Sequence, residues 1–136
     1  MSLLALPLVF APAFAEGPPD AASLEKKVKD ALVETIEMTS AGNIDGWIEK
    51  YCDPSRCGES RSLNEFKTYQ LKQATLKSAR CMNEKKEINV SQMQGDIASG
   101  KEVRWFIKCE GRQMPAGIRF RYDGENDRVY FSHLGF

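Results

Sequence analysis

His133 is the single histidine of the chain, so any imidazole acid–base chemistry has to pass through it. It shares strand parity with Val129 and Phe131, the more apolar side of the run from Arg128 to Leu134, which predicts an inward-facing ring. Asp45 and Asp53 are the other acid–base candidates. Each already has a local structural use, because Asp45 stands where a helix opens and Asp53 directly precedes Pro54. One histidine and no nucleophile-elbow glycines leave no Ser-His-Asp order to assemble, and neither G-x-G-x-x-G nor a P-loop is present. These residues assign no catalytic role and call for no cofactor.

Binding chemistry has more material. Trp47, Tyr51, Trp105, Phe120, Tyr122 and Tyr130, together with His133, would line an apolar pocket, and the same aromatics at helical and strand spacing would equally build a core. Arg119 and Arg121 lie on the opposite side of their strand and form a short basic row with Arg104. Such a row is either a solvated sheet face or the seat of an acidic partner or anionic ligand. Asn89-Val90-Ser91 has the form of a glycosylation acceptor inside an expected strand.

Four cysteines, at 52, 57, 81 and 109, allow three disulfide connectivities. The reading favours Cys52–Cys57, closing a tight loop through Asp53 and Pro54, and Cys81–Cys109, stapling a helix end to a strand. A zinc site built on cysteine needs close C-x₂₋₄-C pairs, and only Cys52 and Cys57 qualify, so no metal is expected. Disulfides fit an exported chain, and residues 1–15 read as a signal peptide. Leu3 to Phe14 is uncharged and apolar, too short to span a bilayer, and ends in Ala13-Phe14-Ala15. Its start, Met1-Ser2, lacks the usual basic residue. Cleavage predicts a periplasmic or secreted protein with no membrane attachment.

All 19 basic and all 19 acidic residues lie beyond Ala15, so the exported part is neutral. That balance argues against nucleic acid or an anionic membrane as partner, since both demand excess Lys and Arg. A small apolar ligand, a protein partner, or a second copy meeting through the sheet remain as candidates.

The elements that must position these groups follow from periodicity. Residues 16–22, with Gly17-Pro18-Pro19, read as a flexible mature N-terminus, and 23–136 as one domain. A helix starting near Asp20 or Ser23 keeps Leu24, Val28, Ala31, Leu32, Thr35 and Ile36 on one stripe and ends at Gly42. Asn43 or Asp45 caps a short second helix with Ile44, Trp47, Ile48 and Tyr51 on one face, stopped at Asp53-Pro54. Ser62-Leu63-Asn64-Glu65 is a capping box opening a third. A strand over Lys86 to Met93 precedes three more. Val103, Trp105, Ile107 and Cys109 point inward on one, and Ile118, Phe120 and Tyr122 on the next. Asp123 to Asp127 turns the chain into the last, Arg128 to Leu134, which is apolar on both parities. The class is α+β: three N-terminal helices against a four-stranded antiparallel sheet.

That order of helices and antiparallel meander resembles the NTF2-like α+β cone superfamily, through the helix pair joined by Ala41-Gly42-Asn43-Ile44-Asp45-Gly46-Trp47 and the closing strand Val129-Tyr130-Phe131-Ser132-His133-Leu134. The resemblance implies helices packed into a curved sheet, with a cavity at the open end. Many members carry a strand or hairpin between the second and third helices, where this chain has the cysteine-clipped loop Tyr51 to Arg61, so a shallower cavity is implied. The superfamily holds isomerases, dehydratases and binding domains, and fold alone does not choose among them. The expected function is a non-catalytic binding or interaction module using the cone cavity or the outer sheet face. The alternative is a small hydro-lyase or isomerase using Tyr with Asp or His133.

Overall fold

In the computed structural model, which describes residues 20–58, 63 and 78–136, Asp20 opens the first helix by accepting the Ser23 N–H on its carboxylate at 2.7 Å. This helix, α1, runs Ala21–Ser40 and buries Leu24, Val28, Ala31, Leu32, Thr35, Ile36 and Thr39. The two buried threonines are hydrogen-bonded: their hydroxyls donate back to the carbonyls of Ala31 and Thr35, each at 2.8 Å. Thr35 Oγ1 also accepts the Trp47 indole N–H at 2.9 Å, which ties α1 to the next helix. Gly42, at φ +77°, takes the left-handed turn that ends α1. Asn43 then caps α2, Ile44–Tyr51, through the Gly46 N–H. Asp53 caps a single turn, α3, Pro54–Cys57, with proline at the position where a missing N–H costs nothing. The loop expected between Tyr51 and Arg61 thus contains a helical turn. The third helix expected from Ser62 lies outside the described residues, apart from Leu63, as do the expected signal peptide and most of the flexible N-terminus.

The strands are β1, Val90–Gln94; β2, Val103–Ile107; β3, Ala116–Asp123; and β4, Arg128–Gly135, antiparallel neighbours in chain order. The chain is α+β with a four-stranded antiparallel meander. Alternation holds through β2 and β3: Val103, Trp105, Ile107, Ile118, Phe120 and Tyr122 are buried, with Arg104 and Arg119 exposed between them.

Strand β4 departs from simple alternation. Phe131 pairs with Phe120, yet His133 pairs with Arg119, so Ser132 is an extra residue, a β-bulge. Beyond it the faces exchange. Leu134, opposite Ile118, faces the core, and His133 stands with Arg119 on the other side. The inward orientation expected for His133 is therefore corrected. Tyr130, paired with Arg121, is also on the outer face and not among the inward aromatics.

Both disulfides join the favoured partners, Cys52 to Cys57 and Cys81 to Cys109. The first follows directly on the edge of β4: Cys52 bridges Phe131 in parallel, and the Asp53 N–H donates to the Phe131 carbonyl at 2.9 Å. The edge is thereby paired at Phe131. The buried residues of α1, α2 and the sheet form one cluster. Trp47, Phe131, Phe120 and Trp105 run through it as a continuous series of ring contacts, at centroid separations of 6.4, 6.1 and 5.0 Å.

Candidate functional site

The seven residues expected to line a pocket do not act together. Trp47, Trp105 and Phe120 are 0% exposed and packed against one another or against Phe131. They are core, with Trp105 also bordering a small cavity of about 180 Å³ beside Met93 and Ile97. Tyr130 and His133 are on the outer face. Tyr51 and Tyr122 remain: Tyr51 lines a different site, and Tyr122 stands behind that site's other end, bonded to Asp127.

That site is a groove between α1, the end of α2 and the start of β4, with a cavity volume of about 410 Å³. Ala31, Val129 and the Tyr51 ring contribute apolar surface to it. Its walls carry two lysine–carboxylate pairs, each bonded to a tyrosine, of which Tyr51 lines the groove and Tyr122 does not. At one end Lys27 meets Asp127 at 2.5 Å, Tyr122 donates its hydroxyl to the same carboxylate oxygen at 2.5 Å, and the Lys27 ammonium lies 5.9 Å from the Tyr122 ring centre. At the other end Lys50 meets Glu34 at 2.5 Å, the Tyr51 hydroxyl donates to the second Glu34 oxygen, and Lys50 lies 5.3 Å from the Tyr51 ring centre. Lys27 and Glu34 are two helical turns apart on α1, so the clusters stand about 10 Å apart along it. Arg128 closes the floor by donating to the carbonyls of Glu49 and Lys50 at 3.1 and 2.8 Å, capping the last turn of α2.

The electrostatics of the groove follow from these bonds. The Lys50 and then the Tyr51 hydrogen bond hold the Glu34 carboxyl below its ordinary range. Lys27 and Tyr122 do the same for Asp127. Burial first, and then the bond to Glu34, push the Tyr51 phenol up, while the bond to Asp127, with burial, pushes Tyr122 up to about 12. Each carboxylate is thereby fixed as an anion and each phenol as a neutral donor. Asp45, the other helix-opening candidate, does not line the groove.

On the outer sheet face, register sets Gln94, Arg104, Arg119 and His133 directly opposite one another across all four strands. Among the described residues no carboxylate is in ion-pair contact with Arg104 or Arg119. Arg121 is not part of this row, because Asp53 takes its Nε–H at 2.8 Å and the Tyr130 ring lies 4.7 Å from its guanidinium. Burial, and then the charges of Arg119, Arg56 and Arg104, hold the His133 imidazole below its ordinary range; Glu102 opposes them. Glu102 itself accepts the Ser132 hydroxyl at 2.7 Å.

Sequence reasoning missed Lys27, Glu34, Lys50 and Asp127. The one signal available was the seven-residue spacing of Lys27 and Glu34 on a single helix, since Asp127 arrives from 100 residues away. Among the described residues no group of three or more His, Cys, Asp or Glu is placed to hold a metal, and no helix is long and apolar enough to cross a membrane. No family model, curated protein or solved structure matches the chain.

Proposed function

We propose that this is an exported, non-catalytic binding module of the NTF2-like kind, a cone of helices on a curved sheet, and that it holds a small ligand in the groove between α1 and β4. The ligand has an apolar body, seated on Ala31, Val129 and Tyr51, and polar or charged ends about 10 Å apart that meet the two lysine–carboxylate–tyrosine clusters. The observation that carries this reading is the duplication itself: a lysine and a carboxylate at each end of one cavity, each carboxylate also holding a tyrosine hydroxyl, although Tyr122 stands behind Asp127 and outside the lining. Each end offers an ammonium and a carboxylate, so each can receive an anionic or a cationic group by exchanging one partner for the ligand. Two disulfides support export, because such bonds persist in oxidising compartments.

The pKa directions favour binding over proton transfer. A general acid or base works best with a pKa near the ambient pH. In this groove the carboxyls are moved down and the phenols up, both away from neutrality. His133, which the hydro-lyase or isomerase alternative relied on, faces the opposite side of the sheet.

The test is an NMR titration with a panel of amphiphilic molecules of differing end groups, run on the wild type and on Ala31→Trp, which fills the groove. Shifts of Ala31, Tyr51 and Val129 in the wild type, with those of Tyr51 and Val129 vanishing in Ala31→Trp, support the reading. A panel that moves none of these resonances, or a ligand unaffected by the filled groove, overturns it.

A further inference from the structure

The groove leaves the outer sheet face unused, and on that face Arg104 and Arg119 have no ion-pair partner among the described residues, while nearby Glu102 accepts the Ser132 hydroxyl. Neighbouring strands lie about 4.8 Å apart, so Arg104 and Arg119, paired across β2 and β3, stand side by side, with His133 the same step further on β4. Like charges directly opposite one another destabilise a sheet. The chain holds 19 acidic residues against 19 basic ones, so carboxylates for pairing are not in short supply. Arg121, next but one to Arg119 on the same face of β3, shows what compensation looks like: a buried aspartate holds it at 2.8 Å. Among the described residues the pair Arg104 and Arg119 has none, and both side chains are exposed. Arg56 extends the same positive field toward His133 from α3.

Alongside the row lies a strip of low relief. Phe106, half-buried, sits over Gly117, and Gly135 follows opposite Gly117 on β4. Neither of the two cavities described above includes Arg104, Arg119 or His133. A flat charged face beside a shallow apolar strip suits an extended chain and not an enclosed small molecule, since small-molecule sites are concave.

We infer that the outer sheet face docks an acidic segment of a protein partner, whose carboxylates bridge Arg104 and Arg119 while its backbone lies along the Phe106–Gly117–Gly135 strip. Guanidinium groups are suited to this, because each presents a fork of donors that matches a carboxylate. This site is separate from the groove, so either can fail alone.

The experiment uses the full chain and a synthetic peptide of alternating glutamate and serine, with its lysine–serine counterpart as control. Binding is measured by calorimetry at several salt concentrations. The glutamate peptide should bind with an affinity that falls as salt rises, and the lysine peptide should not. Replacing Arg104 or Arg119 by Gln should weaken binding about tenfold each, whereas Arg112→Gln, in the loop between β2 and β3, should leave it unchanged. Thermal unfolding of each variant checks that the fold is retained. No binding of the glutamate peptide, binding by the Arg104→Gln and Arg119→Gln variants as tight as by the wild type, or tighter capture of anionic vesicles or an oligonucleotide than of the peptide each overturns the proposal. Chemical-shift changes confined to the groove residues Ala31 and Val129 would overturn it too, while leaving the groove reading intact.

Discussion

Asp53 and Arg121 are joined at 2.8 Å between the end of one disulfide loop and the outer face of β3, with the aspartate side chain 8% exposed and the arginine 33%. Asp53 does three things at once. Its backbone N–H binds the edge of β4, its Oδ1 caps α3 through the Ser55 N–H at 3.0 Å, and its Oδ2 holds Arg121. Burial raises its pKa, but the Ser55 and Arg121 hydrogen bonds outweigh that and leave it below 3.8. A depressed carboxyl contributes stability above the unfolded value and loses it as pH falls through the folded one. Asp53→Ala should therefore cost about 2–3 kcal/mol at neutral pH, the range for breaking a buried pair reduced for the partial exposure of Arg121. Urea unfolding below about pH 4 should show the gap to wild type closing. A gap that stays constant with pH would mean the carboxylate charge contributes nothing.

Trp105→Ala should destabilise the fold by about 3–5 kcal/mol, because the indole is fully buried against Phe120 and leaves a cavity that the sheet cannot collapse. His133→Ala, which removes a half-buried ring from the outer face, should cost under about 1 kcal/mol. Denaturant midpoints of the two variants measure the difference. Equal losses would mean that His133 is packed as core.

These two residues also mark how far the sequence was legible. The stripes of α1 and α2, the inward sets of β2 and β3, and the Cys52–Cys57 pair could be read because each depends on a regular period or a short loop, and with that pair made only Cys81 and Cys109 were left to join. The side of His133 could not. A bulge at Ser132 adds one residue to β4 against β3, and one residue is enough to exchange the faces. The hint lay in the run Phe131-Ser132-His133-Leu134, apolar on both parities, where a single period had to fail. The groove was illegible for a different reason. Lys50 reaches Glu34 across 16 residues and Lys27 reaches Asp127 across 100, and isolated charges on helices ordinarily face water.

Cys81–Cys109 spans 28 residues and Cys52–Cys57 spans five, so the two disulfides differ in what they constrain. The chain-entropy model gives about 3.5 kcal/mol for the longer loop and about 2 kcal/mol for the shorter. Replacing Cys81 and Cys109 together by Ala should thus lower the unfolding free energy more than replacing Cys52 and Cys57. The shorter bridge follows on the β4 edge beside Asp53, however, and its loss should specifically weaken protection of the Asp53 amide. Hydrogen exchange read at Asp53 distinguishes the two effects. Unchanged protection in the Cys52/Cys57 double variant would show that the edge contact holds without the bridge.

The final prediction concerns acid. His133 sits below its reference value of 6.5, first through burial and then through Arg119, Arg56 and Arg104, with Glu102 pulling the other way. Between that reference value and the lower folded value, the unfolded chain binds a proton that the folded chain refuses. Stability must then fall as pH drops through about 6.5, and level off once the folded imidazole also protonates. This is the only histidine in the chain, so the interval from about pH 7 to pH 5.5 reports on it with little interference from carboxylates. Urea unfolding across that interval should show the decline in wild type and a flat profile in His133→Gln. Arg104→Gln combined with Arg119→Gln should keep part of the decline, because burial is the larger cause and survives the loss of both charges. A glutamate–serine peptide bound across the arginines should act in the same direction as that double variant, by shielding the imidazolium from its neighbours. A wild-type profile as flat as that of His133→Gln would place the ring in free contact with water, and the row would lose its third member.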